Sequence, residues 1–211
     1  MRVTFYSNFL NHHQLPFCKE MYKRIGDGYK FIATEPVPEE RLNMGYHDMS
    51  NQYPFTFNAY SSKKTYEEAV KLGNESDVVV IGSAPKLFIE RRLKNNNLTF
   101  YYSERIFKRG RWRVFSPRGL VSLVRNHTLY RKKNLYMLCA SAYTSADFSL
   151  VGAYRNKAYK WGYFPEVKNY NLNELMNYKK QNKIPKLLWV GRFLDCKHPD
   201  HAINVAKQLR D

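Results

Sequence analysis

The sequence predicts an α/β fold, a Rossmann-like doubly wound parallel sheet followed by an incomplete second domain. Two observations carry the prediction. Short apolar runs of strand length alternate along the chain with segments of helical spacing, and parallel neighbours need a crossover of that kind. The clearest run, Val78-Val79-Val80-Ile81, is apolar without alternation, as suits a strand covered on both faces.

Taken in order, residues 3–6 form the first strand, and a polar loop leads to a helix over residues 16–25. Gly26-Asp27-Gly28 ends that helix before a strand at residues 29–33. Residues 34–61 are irregular and rich in aromatic side chains. A helix over 63–72, stopped by Gly73-Asn74, leads into the strand at 77–82, and Ser83-Ala84-Pro85 opens another helix. Strands at 98–102, 135–140 and 157–161 follow, separated by a basic segment at 105–118, a helix through Leu129 and a helix near 142–153.

The first domain is expected to span residues 1–165. Residues 166–185 are polar and rich in Asn and Lys, with weak helical spacing at Leu172, Leu175, Met176 and Lys179, and read as a linker. The remaining stretch, 186–211, is too short for a domain of about 100 residues. It reads as the first βα unit of a truncated second domain: an apolar strand at Leu187-Leu188-Trp189-Val190, then Gly191-Arg192, then Lys197, then a helix opened by Pro199-Asp200. Cations at the carboxyl end of a strand, beside a helix N-terminus, fit an anionic ligand such as a diphosphate; two solvated charges on a surface loop fit the same spacing.

Lys and Arg outnumber Asp and Glu by 35 to 18 over 211 residues, a formal charge of +17, which points to a polyanionic partner or an anionic surface. Cys18, Cys139 and Cys196 are odd in number and widely separated, as in a cytosolic protein with reduced thiols. No cysteine and histidine spacing marks a zinc site. The amino terminus lacks the apolar region of a secretion signal, and no run has the roughly 18 apolar residues of a spanning helix, so membrane contact is expected to be peripheral.

Two blocks give the chain a family likeness. Gly191, Arg192 and Lys197 follow an apolar strand, and about twenty residues earlier a block from Tyr154 ends in Gly162-Tyr163-Phe164-Pro165. In this the chain resembles the amino-terminal part of a GT-B glycosyltransferase of the family 4 type. The resemblance implies that Arg192 and Lys197, with Gly191, bind the diphosphate of a nucleotide-sugar donor and offset charge on the departing nucleotide. It implies transfer, with retention of configuration, to a glycan or lipid-linked acceptor in bacterial surface polysaccharide synthesis. No Asp-x-Asp pair is present, in keeping with a metal-independent mechanism without a cofactor. The family's Glu-x7-Glu block has no counterpart before Asp211, so the 211-residue chain alone is expected to have little or no transferase activity.

The loop after the first strand should lie at the carboxyl edge of the sheet, where open α/β folds bind ligands. There Asn11, His12 and His13 can hydrogen-bond an acceptor sugar, although adjacent histidines also serve as a polar loop or cap. Glu104, after the strand at 98–102, can orient an acceptor hydroxyl or pair with Arg105. Thus His12, His13 and Glu104 are the candidates for a catalytic base, while Ser83 is either an acceptor contact or a turn residue. In the basic segment, Lys108, Arg109, Arg111 and Arg113 surround Trp112, a pattern suited to an anionic membrane surface or to a solvated loop. A basic RNA-binding protein and a noncatalytic nucleotide- or sugar-binding module are the alternatives; for the former, the spread of charge and the lack of an RNA-binding signature count against nucleic acid.

Overall fold

The computed structural model describes residues 1–108, 110–181, 184, 186–191 and 193–209, with backbone alone at Arg113 and Cys196. The strands are β1 (Val3–Ser7), β2 (Tyr29–Ala33), β3 (Thr56–Asn58), β4 (Val78–Ile81), β5 (Thr99–Ser103), β6 (Leu135–Cys139) and β7 (Ala158–Lys160). All pair in parallel in one sheet of order β3-β2-β1-β4-β5-β6-β7. From β1 the chain winds outward through β2 and β3, then returns beside β1 with β4 and winds the other way. The architecture is α/β and Rossmann-like, and its topological switch point lies between β1 and β4.

The pleat divides the core between two faces. Val3, Phe5, Tyr29, Phe31 and Val80 face helix α1 (Leu15–Ile25), which contributes Cys18, Leu15 and Met21. Tyr6, Ile32, Val79, Ile81, Leu135 and Met137 face the opposite layer, built from α3 (Lys63–Glu75), α4 (Glu90–Lys94), α5 (Pro117–Asn126) and α6 (Thr144–Ser149). The short α2 (Glu39–Asn43) lies in the region read as irregular, and β3 was missed there as well. At three residues, β3 is an edge strand defined by its pairing with β2 more than by its own pattern.

Helix α3 begins at a capping box between Ser62 and Thr65 and continues past Gly73-Asn74 to Glu75. Gly73 is a packing contact and not a stop: a Cβ there would lie 2.4 Å from the Tyr6 hydroxyl and 2.9 Å from the Phe88 carbonyl. The end of α3 is closed by the fully buried Arg92. Its Nη1 donates to the carbonyls of Gly73 (2.8 Å) and Ser76 (2.5 Å), and Nη2 to those of Asp77 (2.8 Å) and Leu98 (2.6 Å). Its Nε reaches Thr99 Oγ1 at 3.1 Å, so one guanidinium ties the end of α3 to the starts of β4 and β5.

The chain divides into two compact units, Met1–Glu166 and the stretch from Val167 onward. The second contains α7 (Leu172–Gln181) and α8 (Pro199–Gln208), with a 3-10 turn, Asp195–Lys197, before α8. The strand expected at residues 187–190 is not formed; Leu188 and Val190 are 87% and 83% exposed. The reason is ladder pairing: no other strand occurs in this unit among the described residues, and a lone strand leaves its N–H and C=O groups without partners. Among the described residues no helix is long and apolar enough to cross a membrane.

Candidate functional site

At the carboxyl edge of the sheet, beside the switch point, the loops after β1, β4 and β5 enclose a cleft of about 460 Å³. The β1 loop folds over Asn11, whose carbonyl accepts the amides of Gln14 and Leu15, both at 3.0 Å, while its side-chain Oδ1 accepts the His13 amide at 3.0 Å. This turn delivers His13 to the cleft and ends directly in α1, with Pro16 in the first turn. Below it, Gln14 Nε2 donates to Ser7 Oγ at 3.2 Å, and Ser7 Oγ donates to Asn8 Oδ1 at 3.2 Å.

His13 Nδ1 is buried without a hydrogen-bond partner among the described residues. Burial lowers the His13 pKa below its ordinary value and the neighbouring His12 lowers it further, while Glu104 pulls in the opposite direction. The imidazole is therefore neutral near pH 7, with a ring nitrogen able to exchange a proton with a hydroxyl. His12 does not share this position. It is exposed, packs on Tyr46 at 5.2 Å between ring centres, and lines a separate cavity with Met44, Met49 and Tyr53. The pair of histidines, equivalent in the sequence, is thus divided between two cavities.

Asn11, His13, Ser83 and Glu104 come together in the cleft as lining residues, joined by Lys108 from the basic segment. Glu104 pairs with Lys108 and not with Arg105, because Arg105 is taken by a residue the sequence did not mark. Asp147 in α6 has no exposed surface; its Oδ2 accepts from Arg105 Nε at 3.1 Å and from the Phe107 amide at 3.3 Å, and its Oδ1 from Arg111 Nε at 3.3 Å. A buried carboxylate needs such partners, and here they fix the basic segment against α6. Gly82 admits Tyr102 to the cleft wall: a Cβ at that glycine would stand 3.0 Å from the Tyr102 ring. Tyr102 is pushed up to about 12 by burial and by Glu104, so it stays a neutral hydroxyl donor.

Sequence reasoning also missed Arg41, Tyr46 and Tyr163, which complete the lining from the α2 region and from the segment after β7. Arg41 lies over the Tyr46 ring at 5.4 Å and has no ion-pair partner among the described residues. The outer half of the basic segment behaves differently. Trp112 is 67% exposed and Phe115 83%. Arg109 lies outside the described residues, as does the side chain of Arg113.

Gly191 and Lys197 belong to the second unit and are exposed; Arg192 lies outside the described residues. In the same unit His198, Asp200 and His201 hold ligand-type atoms within 4.8 Å of one another, all of them exposed.

Fold and cleft together define a Rossmann-like α/β domain with a polar cleft at its topological switch point. Comparison with protein-family models, with curated proteins and with solved structures finds no match for this chain.

Proposed function

We propose that the chain is the acceptor-side part of a GT-B-type glycosyltransferase, which transfers a sugar from a nucleotide-sugar donor to a glycan or lipid-linked acceptor. One observation carries this reading: the cleft at the switch point collects neutral hydrogen-bonding groups and aromatic faces of the kind a sugar needs. Asn8, Asn11, Ser83 and Tyr102 offer donors and acceptors, Tyr46 and Tyr163 offer ring faces, and the neutral His13 is placed to take a hydroxyl proton. Glu104 orients that hydroxyl. Retention of configuration, independence of metal and a role in bacterial surface polysaccharide synthesis come with the family resemblance, as does the donor diphosphate role of Gly191, Arg192 and Lys197.

The same reading places the protein in the cytoplasm, on the inner face of the membrane. The exposed Trp112 and Phe115 continue into α5, where Leu120 and Val121 are exposed beside Arg118 and Arg125. An amphipathic, acid-free helix of this type suits the headgroup layer of anionic lipid.

The acceptor reading is tested by titrating the isotopically labelled chain with a panel of simple glycosides and following backbone amides by NMR. Binding in the millimolar range that shifts Asn11, His13, Ser83 and Glu104, and that weakens in His13→Ala, is the expected result. Shifts confined to other parts of the surface, or no binding, reject it. Transfer itself is read with labelled nucleotide sugars, and transfer that is unaffected by Lys197→Ala contradicts the donor role given to Lys197.

A further inference from the structure

The cleft carries more positive charge than a neutral sugar requires. Arg41, Arg105 and Lys108 line it against a single lining carboxylate, Glu104. Lys108 and Glu104 neutralise each other by pairing. The two guanidiniums remain, and they are held in different ways. Arg41 rests on the Tyr46 ring without an acidic partner among the described residues. Arg105 is gripped on one side only: Nε binds the buried Asp147 while its guanidinium carbon lies 4.8 Å from the centre of the Tyr143 ring. Its two terminal amino groups have no hydrogen-bond partner among the described residues.

A surface arginine in water needs no scaffold. Arg105 has one, made from a carboxylate with no exposed surface and an aromatic ring, and Asp147 divides its single charge between Arg105 and Arg111. Counting these four cations against the two carboxylates leaves an excess of two positive charges around the cleft. A fork of N–H donors held in place from behind and open in front matches the geometry of a phosphate or carboxylate, which accepts two parallel hydrogen bonds. Such preorganisation spares the entropy of ordering a long side chain when the ligand arrives.

We propose that this cleft recognises an anionic group, a phosphate or a carboxylate, on its sugar ligand, with Arg105 and Arg41 as the binding cations and Asp147 as the positioning residue behind Arg105. The proposal rests on the acceptor reading above and narrows it to acidic or phosphorylated acceptors. The same chemistry is present in a nucleoside diphosphate, so the test separates the two sources.

The labelled 211-residue chain is titrated with methyl glucoside, methyl glucuronide, a hexose 6-phosphate and uridine diphosphate, at two salt concentrations. The glucuronide or hexose phosphate should bind about tenfold more tightly than the glucoside, with the advantage shrinking at high salt. Arg105→Lys and Arg41→Gln should each weaken binding of the charged ligands by far more than binding of the glucoside, so that most of that advantage is lost. In Asp147→Asn the Arg105 Nε–H resonance should lose its charge-assisted shift, and the preference for the anion should fall although Arg105 keeps its charge. If that variant does not fold, Arg105→Lys and Arg41→Gln decide the matter. Equal binding of glucoside and glucuronide, unaffected by Arg105→Lys, overturns the anion inference and leaves the acceptor reading standing. Binding of uridine diphosphate alone at these residues keeps anion recognition but overturns the acceptor reading, and binding of none of the four overturns both.

Discussion

Acidification should destabilise this protein through one buried side chain, His127. Its Nδ1 lies 2.7 Å from the Tyr154 hydroxyl, and its ring packs edge-on against Phe148 and Tyr101, with 4.8 and 4.9 Å between centres. Burial, aided by Lys86, pushes its pKa from 6.5 down to about 4. The unfolded chain takes up the proton near pH 6.5, whereas the folded chain resists until about pH 4. Stability from the neutral imidazole is therefore complete above pH 6.5 and declines as the pH falls towards 4. The full difference is on the order of 3 kcal/mol, of which about 2.5 is lost by pH 4.5. That is a large share of a typical folding free energy of about 5–15 kcal/mol. The assay is urea unfolding of the wild type and of His127→Asn at pH 7.5 and 4.5, followed by circular dichroism. Asparagine keeps a hydrogen-bonding group near Tyr154 but cannot titrate. All other acid-sensitive groups are common to both proteins, so the stability gap between them isolates His127. The variant should be weaker at pH 7.5, and the gap should narrow by about 2.5 kcal/mol at pH 4.5. A gap that stays constant between the two pH values would falsify the argument.

Three further outcomes follow from the packing. Arg92→Met removes the donors to the carbonyls of Gly73, Ser76, Asp77 and Leu98, and should lower stability by about 3–5 kcal/mol in urea unfolding; a loss below about 1 kcal/mol contradicts the role given to it. Gly73→Ala forces a methyl group onto the Tyr6 hydroxyl and should cost about 1–3 kcal/mol, whereas Gly162→Ala, with nothing within 4 Å of its Cβ position, should leave the thermal midpoint unchanged. Trp112→Ala combined with Phe115→Ala should weaken co-sedimentation with anionic vesicles by about tenfold or more, given the apolar area withdrawn from the interface. Equal binding of the wild type to neutral and anionic vesicles removes the electrostatic part of that assignment.

The legible parts of the fold were those whose pattern is intrinsic to the segment. β4 is apolar at every position from Val78 to Ile81 because helices cover both its faces, and β1 and β2 read as strands for the same reason. Where a partner defines the element, the sequence misled. Thr56-Phe57-Asn58 became a strand through its register with Phe31, Ile32 and Ala33. Leu187-Leu188-Trp189-Val190 has the stronger strand pattern, yet it lacks a ladder and forms no strand, with Leu188 and Val190 left exposed. Gly73 carried the opposite error: a residue that usually ends helices was there to let Tyr6 and Phe88 approach.

The site was legible only as far as strand ends could be located. In a parallel sheet every strand delivers its following loop to the same edge, so Asn11, His13, Ser83 and Glu104 could be gathered from three separate loops without any contact being known. Pairing across that edge left no such trace. Asp147 lies 42 residues from Arg105, inside a helix of ordinary composition, and nothing in spacing distinguishes it from a solvated aspartate. Its burial is what divides the basic segment in two. Arg105 and Arg111 are tied to its two oxygens and Lys108 to Glu104, although Arg111 and Lys108 stay partly in solvent; Trp112 and Phe115 are the exposed large apolar residues of this segment among the described residues. A stretch that reads as one continuous basic surface thus divides into a cleft wall, with Arg105 and Lys108, and an exposed apolar part, with Trp112 and Phe115; on the function proposed above, substitutions in one should leave the binding measured at the other unchanged.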